Sequence, residues 1–128
     1  MTDARKEKRM LRVLFVDDDH RVLDGLRRAL YSKSKDWDMH FVARPSEGLK
    51  LIERSTKDQL FDLVVSDLRM PESNGEDFLS EVRALSPQTA RFVLSGQAKQ
   101  ERFIGCMGFA HQYLTKPIAS ENLISKIE

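Results

Sequence analysis

The sequence predicts an α/β domain: a doubly wound, five-stranded parallel sheet with helices on both faces. Three observations carry that expectation. Short β-rich runs alternate with helical patterns along the chain. The strongest runs, Leu11 to Val16 and Phe61 to Ser66, are almost continuously apolar, as strands covered on both faces are. The 128 residues suit one compact core, with no internal repeat, low-complexity block or long linker.

Leu11 to Val16 reads as the first buried strand. His20 to Ser32 reads as a helix, with Val22, Leu23, Leu26, Ala29 and Leu30 along one face. Met39 to Ala43 is a weaker second strand. Pro45 and Ser46 open a second helix, since proline suits a first helical turn. Phe61 to Ser66 is the clearest strand, and Gly75 to Leu85 follows as a helix that Ser86-Pro87 stops. Arg91 to Leu94 is the fourth strand, Gln97 to Met107 a short helix, and Gln112 to Thr115 the fifth strand. Ser120 begins a last helix, with its hydroxyl as a candidate cap. Five such units suggest, by analogy, the flavodoxin-like strand order 2-1-3-4-5. The last helix stops at Glu128 after about nine residues, short against a typical ~11–12. That suggests a natural chain continuing into an output domain; a complete single-domain protein is the alternative.

Composition excludes several classes. Hydrophobic residues at 41% and charged residues at 32% fit neither a disordered chain nor a membrane protein. A balance of 21 Lys+Arg against 20 Asp+Glu leaves no footprint for direct nucleic-acid binding. Residues 1–10 are the exception: Arg5, Lys6, Lys8 and Arg9 make a basic segment, read as a frayed, flexible terminus rather than a partner-binding arm. Cys106 is the only cysteine, which fits a reducing compartment and reads as a small buried hydrophobe. No apolar run approaches the ~20 residues of a membrane span, so the expected location is the cytoplasm.

Parallel strands bring their C-terminal ends to one edge, where ligands bind. Asp17, Asp18 and Asp19 follow the first strand, Asp67 ends the third, Ser95 the fourth, and Lys116-Pro117 follow the fifth. Several carboxylates in one cleft repel each other, and a hard cation such as Mg²⁺ relieves the repulsion. The competing reading makes Asp17 to Asp19 helix caps, and Asp19 fits that role best. A carboxylate beside Mg²⁺ can attack phosphorus and form an aspartyl phosphate. Lys116 could balance phosphoryl charge, and the Ser95 hydroxyl could donate to a phosphoryl oxygen.

At this point the sequence resembles the response-regulator receiver family of two-component signalling. The matching motifs are Val13-Leu14-Phe15-Val16-Asp17-Asp18-Asp19, Val64-Val65-Ser66-Asp67-Leu68-Arg69-Met70-Pro71 with Gly75, Val93-Leu94-Ser95-Gly96, and Tyr113-Leu114-Thr115-Lys116-Pro117. Each is modest, but four in order are specific, and the resemblance covers roughly residues 11 to 128. It implies that Asp67 is the phosphoacceptor. It implies Mg²⁺, or Mn²⁺, held by Asp18, Asp67 and the Arg69 backbone carbonyl, with Asp17 acting mainly through water. It further implies Ser95 and Tyr113 as switch residues, Lys116 as the phosphate contact, and a cis peptide between Lys116 and Pro117. Arg69 and Gln97 match positions that vary in the family and border the path of hydrolytic water. The implied partners are a sensor histidine kinase or histidine phosphotransfer protein. An output domain or protein partner would bind the face of the fourth helix, fifth strand and last helix, with a phosphorylation-dependent dimer allowed. The Gly96-Gln97-Ala98 and Ala110-His111-Gln112-Tyr113 stretches resemble receivers joined to HD-type output domains.

The main alternative is a phosphohydrolase using Asp17 and Asp19 as a D-x-D pair. That motif normally continues with Thr or Val where Arg21 stands. A phosphorylation-independent interaction module would usually lack one of the acids or the lysine, and this chain keeps all of them. A flavin phosphate would be repelled by three acids after the first strand.

Overall fold

The computed structural model describes residues 10–55, 59–67, 70, 75–95, 111–115 and 120–127. Its five strands are β1 (Leu11–Val16), β2 (Trp37–Val42), β3 (Leu63–Ser66), β4 (Ala90–Ser95) and β5 (Gln112–Thr115). Its described helices are α1 (His20–Ala29), α2 (Pro45–Arg54), α3 (Gly75–Leu85) and α4 (Ser120–Ile127). All neighbouring strands pair in parallel, in the order β2-β1-β3-β4-β5. This is the predicted doubly wound, flavodoxin-like order. The predicted helix from Gln97 to Met107 lies outside the described residues.

Side chains alternate between the two faces of a strand, so β1 feeds two cores. Leu14 and Val16 join Ile52 of α2, Val64 of β3 and Phe78, Leu79 and Val82 of α3. Val13 and Phe15 join Leu23 of α1, Val65 of β3, Leu94 of β4 and Leu123 of α4. Helices on both faces explain why β1 and β3 read as continuous apolar runs.

The larger boundary differences each have a local reason. α1 ends at Ala29 rather than Ser32, and the chain tightens into a 3₁₀ turn over Tyr31–Lys33. β2 starts at Trp37, not Met39, because Trp37 packs in the core at 5% exposure although polar Asp38 follows it. β3 starts at Leu63, two residues later than expected. Phe61 is buried before it, where its carbonyl accepts the Thr89 hydroxyl at 2.7 Å. Among the described residues no helix is long and apolar enough to cross a membrane.

Candidate functional site

The chain runs from β1 out to β2 and then returns past β1 to β3. Between β1 and β3 the connections diverge, which opens a crevice at the C-terminal strand ends. Both acids that close these strands are tied to the sheet. The Asp17 amide donates to the Val42 carbonyl at 3.2 Å, and the Asp67 amide donates to the Val16 carbonyl at 3.0 Å. The sheet's hydrogen bonding therefore continues into the acids and fixes where their side chains begin.

One carboxylate oxygen from each of Asp17, Asp18 and Asp67 lies within 4.8 Å of the others. Asp17 and Asp67 are buried, and Asp18 is exposed. A small gap of about 10 Å³ beside Asp17 and Asp67 is walled by Phe15, Leu26, Val65 and Leu94. Two ionised carboxylates no more than 4.8 Å apart repel by at least about 3 kcal/mol at an effective dielectric of about 20. The exposed Asp18 adds a smaller, screened share. Such a donor set, oxygen only and partly open to water, matches a hard divalent ion that keeps some of its waters. Mg²⁺ fits these residues.

Asp19 takes the other of its two expected roles. It is the N-cap of α1, where its carboxylate accepts from the Arg21 amide at 2.9 Å. The same carboxylate pairs with the Arg21 guanidinium at 3.2 Å. Its own amide donates to Asp17 Oδ1 at 2.9 Å, so Asp19 also steadies one of the acids in the cluster. Sequence reasoning missed that support. The signal for it was present, since Asp commonly accepts from the amide two residues on.

Behind the acids, the buried Ser66 hydroxyl donates to the Asp67 carbonyl at 2.9 Å. Ser95 ends β4 opposite Thr115, and Tyr113 lies opposite Val93 in β5, so the backbone puts Ser95 at the same sheet edge as the acids. The side chains of Ser95 and Tyr113, and residues Arg69, Gln97, Lys116 and Pro117, lie outside the described part.

Comparison with known proteins is decisive here. The sequence profile of the response regulator receiver domain matches residues 13–128. This chain belongs to the response regulator receiver family. The hydrogenase transcriptional regulatory protein HoxA of Bradyrhizobium diazoefficiens is 31% identical over 118 residues, covering 91% of this chain and 23% of HoxA. The cell cycle response regulator CtrA of Brucella ovis is 30% identical over 118 residues, covering 91% of this chain and 48% of CtrA. The chain thus spans about a quarter to a half of the curated relatives it matches. Among solved structures, a CheY-like response regulator receiver domain protein from Methanospirillum hungatei JF-1 superimposes with a TM-score of 0.82 at 28% identity. That match covers 93% of this chain and 91% of the other. This chain is therefore a receiver, the phosphoacceptor module of two-component signalling.

Proposed function

We propose that Asp67 is the phosphoacceptor and that Asp17, Asp18 and Asp67, with the Arg69 backbone carbonyl, hold a Mg²⁺ or Mn²⁺ ion. One observation carries this reading: three carboxylates from the ends of β1 and β3 meet within 4.8 Å in a chain of the receiver family. The bound ion would supply charge neutralisation for the transferring group. An Asp67 carboxylate oxygen forms the new O–P bond while the P–N bond of a phosphohistidine breaks, and the donor imidazole keeps the electron pair. Lys116 balances charge on the phosphoryl oxygens, and the Ser95 hydroxyl donates to one of them. Tyr113 follows the movement of Ser95. The acyl phosphate later loses its phosphoryl group to water, with Arg69 and Gln97 bordering the path.

The donor is a sensor histidine kinase or a histidine phosphotransfer protein, and the protein works in the cytoplasm. Residues 11–128 form the receiver, residues 1–10 a flexible basic segment before it, and Lys116-Pro117 a cis peptide. The phosphorylated state controls an output domain or separate partner through β5, α4 and the segment from Gln97 to Met107. HoxA and CtrA, both longer than this chain, support the presence of an output domain.

Intact-mass measurement after treatment with a small phosphodonor and Mg²⁺ tests the assignment. The wild type gains one phosphoryl group and Asp67→Asn gains none. Equal labelling of both proteins refutes Asp67 as the acceptor.

A further inference from the structure

β2 is one edge of the sheet, and among the described residues its only ladder partner is β1. Edge strands normally carry lysine, proline, a bulge or short length, which prevents pairing with other chains. β2 carries one acid, Asp38, but no lysine, proline or bulge. It is six residues long, Trp-Asp-Met-His-Phe-Val, and its register against β1 is unbroken from Trp37 to Val42. The other edge, β5, has only four residues.

The backbone fixes which groups face outward. The Val42 carbonyl bonds inward to the Asp17 amide. Amide and carbonyl of one strand residue point to the same side and alternate along the strand. Asp38, His40 and Val42 therefore turn their backbone toward β1, and Trp37, Met39 and Phe41 turn theirs to the open edge. A cleft of about 360 Å³ lies beside this edge, lined by those same three residues with Arg27 and Tyr31. Tyr31 is 75% exposed.

We propose that this edge pairs with the β2 edge of a second copy, antiparallel about a two-fold axis at Met39. Outward-facing residues must lie opposite one another, which leaves few registers. Centring on Asp38 sets two like charges face to face, and centring on His40 sets Asp38 opposite the apolar Val42 of the second copy. Centring on Met39 aligns five strand residues, Trp37 to Phe41. It sets Asp38 opposite His40 of the second copy, twice, in the closer non-hydrogen-bonded pairs, beside the contacts Asp38 makes with Arg12 and His40 of its own chain. It also sets Trp37 opposite Phe41 of the second copy on the face that carries α1. Association joins two five-stranded sheets into one of about ten, near the upper size of twisted open sheets. The strands of the two copies run in opposite directions, so the two acid clusters face away from each other and both stay open to a phosphodonor.

Sedimentation equilibrium of the whole chain across a concentration series, with charge-swap variants, tests this. The wild type is expected to pass from 14.8 kDa to twice that mass. Asp38→Lys sets lysine opposite His40, and His40→Asp sets aspartate opposite Asp38, so each variant alone loses the dimer. Mixing the two folded variants restores it, because Lys then faces Asp in one pair and Asp38 faces His40 in the other. In the dimer the amides of Trp37, Met39 and Phe41 gain hydrogen-exchange protection. A wild type that stays monomeric overturns the proposal, including the case in which residues 1–9 occupy the edge. So does a dimer that survives in both single variants, or a mixture that stays monomeric.

Discussion

Two helical glycines make a matched pair of alanine substitutions with opposite expected signs. Gly25 lies inside α1 and Gly48 inside α2. Alanine is favoured over glycine in a helix interior by about 0.8–1 kcal/mol. A Cβ at Gly25 meets nothing within 4 Å, so Gly25→Ala should stabilise by about 0.5–1 kcal/mol. A Cβ at Gly48 would lie 3.3 Å from two ring carbons of Phe78 and 3.3 Å from Val16 Cγ2. Comfortable carbon contacts are ~3.5–4.0 Å. Phe78 and Val16 are each 1% exposed, so neither has free space to retreat into. Overpacking of this kind costs about 1–3 kcal/mol, which outweighs the helix-propensity gain. Gly48→Ala should therefore come out destabilised by about 0–2 kcal/mol. Urea unfolding at equal m-value should separate the two midpoints by roughly 1 M. There is a functional counterpart. Val16 precedes Asp17 and its carbonyl receives the Asp67 amide, so displacing it disturbs both acids. Divalent-cation affinity should fall in Gly48→Ala and hold in Gly25→Ala. A Gly48→Ala protein as stable as Gly25→Ala refutes the packing argument.

Three further expectations follow from single residues. Mg²⁺ titration followed by NMR should lose the binding response in Asp18→Ala and largely keep it in Asp19→Ala. The reverse pattern would make Asp19 the ligand. Trp37 is a poor reporter for that titration, since it opens β2 opposite Leu11, at the far end of the sheet from the acids. Partial burial of Asp38 works against its ionisation, but the Arg12 hydrogen bond at 3.0 Å and the His40 imidazole 3.1 Å away prevail and hold its carboxyl below the usual range. Its stabilisation is therefore complete above the unfolded value of about 4 and disappears as pH falls through the lower folded value. With Asp38 41% exposed, the effect is under about 1 kcal/mol, so Asp38→Asn should be slightly less stable than wild type near neutrality and equal to it in strong acid. A stability gap independent of pH refutes it. Arg69→Ala, compared with wild type at fixed Mg²⁺, should shorten the lifetime of the phosphorylated protein, because arginine pairs with phosphoryl oxygens and cannot act as a base for water. An unchanged or longer lifetime removes Arg69 as a shield.

The sheet was legible where burial is two-sided. β1 and β3 sit between helices on both faces, so nearly every position is apolar and the runs stand out. β2 was blurred for the opposite reason. At an edge only part of the strand needs apolar cover, and Asp38 and His40 interrupt the pattern, which hid Trp37 as the first strand residue. The turn after α1 was also hidden. Leu30 is fully buried and continues the apolar stripe, yet the helix ends before it, its amide donating to both Leu26 and Arg28.

At the site, the convergence of Asp17, Asp18 and Asp67 was readable because parallel topology alone brings the strand ends together. Three identical side chains in a row could not be sorted by type, only by backbone direction. Asp17 is still held by the β2 carbonyl of Val42, and its carboxylate lies within 4.8 Å of those of Asp18 and Asp67. By Asp19 the backbone is extended at φ −90° and ψ 109° and has turned to open α1, which commits that carboxylate to the helix amides. The division of labour within Asp17-Asp18-Asp19 thus follows from where the strand stops and the helix starts. A change that moved the α1 start by one residue would reassign which acid faces the crevice, even with every side chain unchanged.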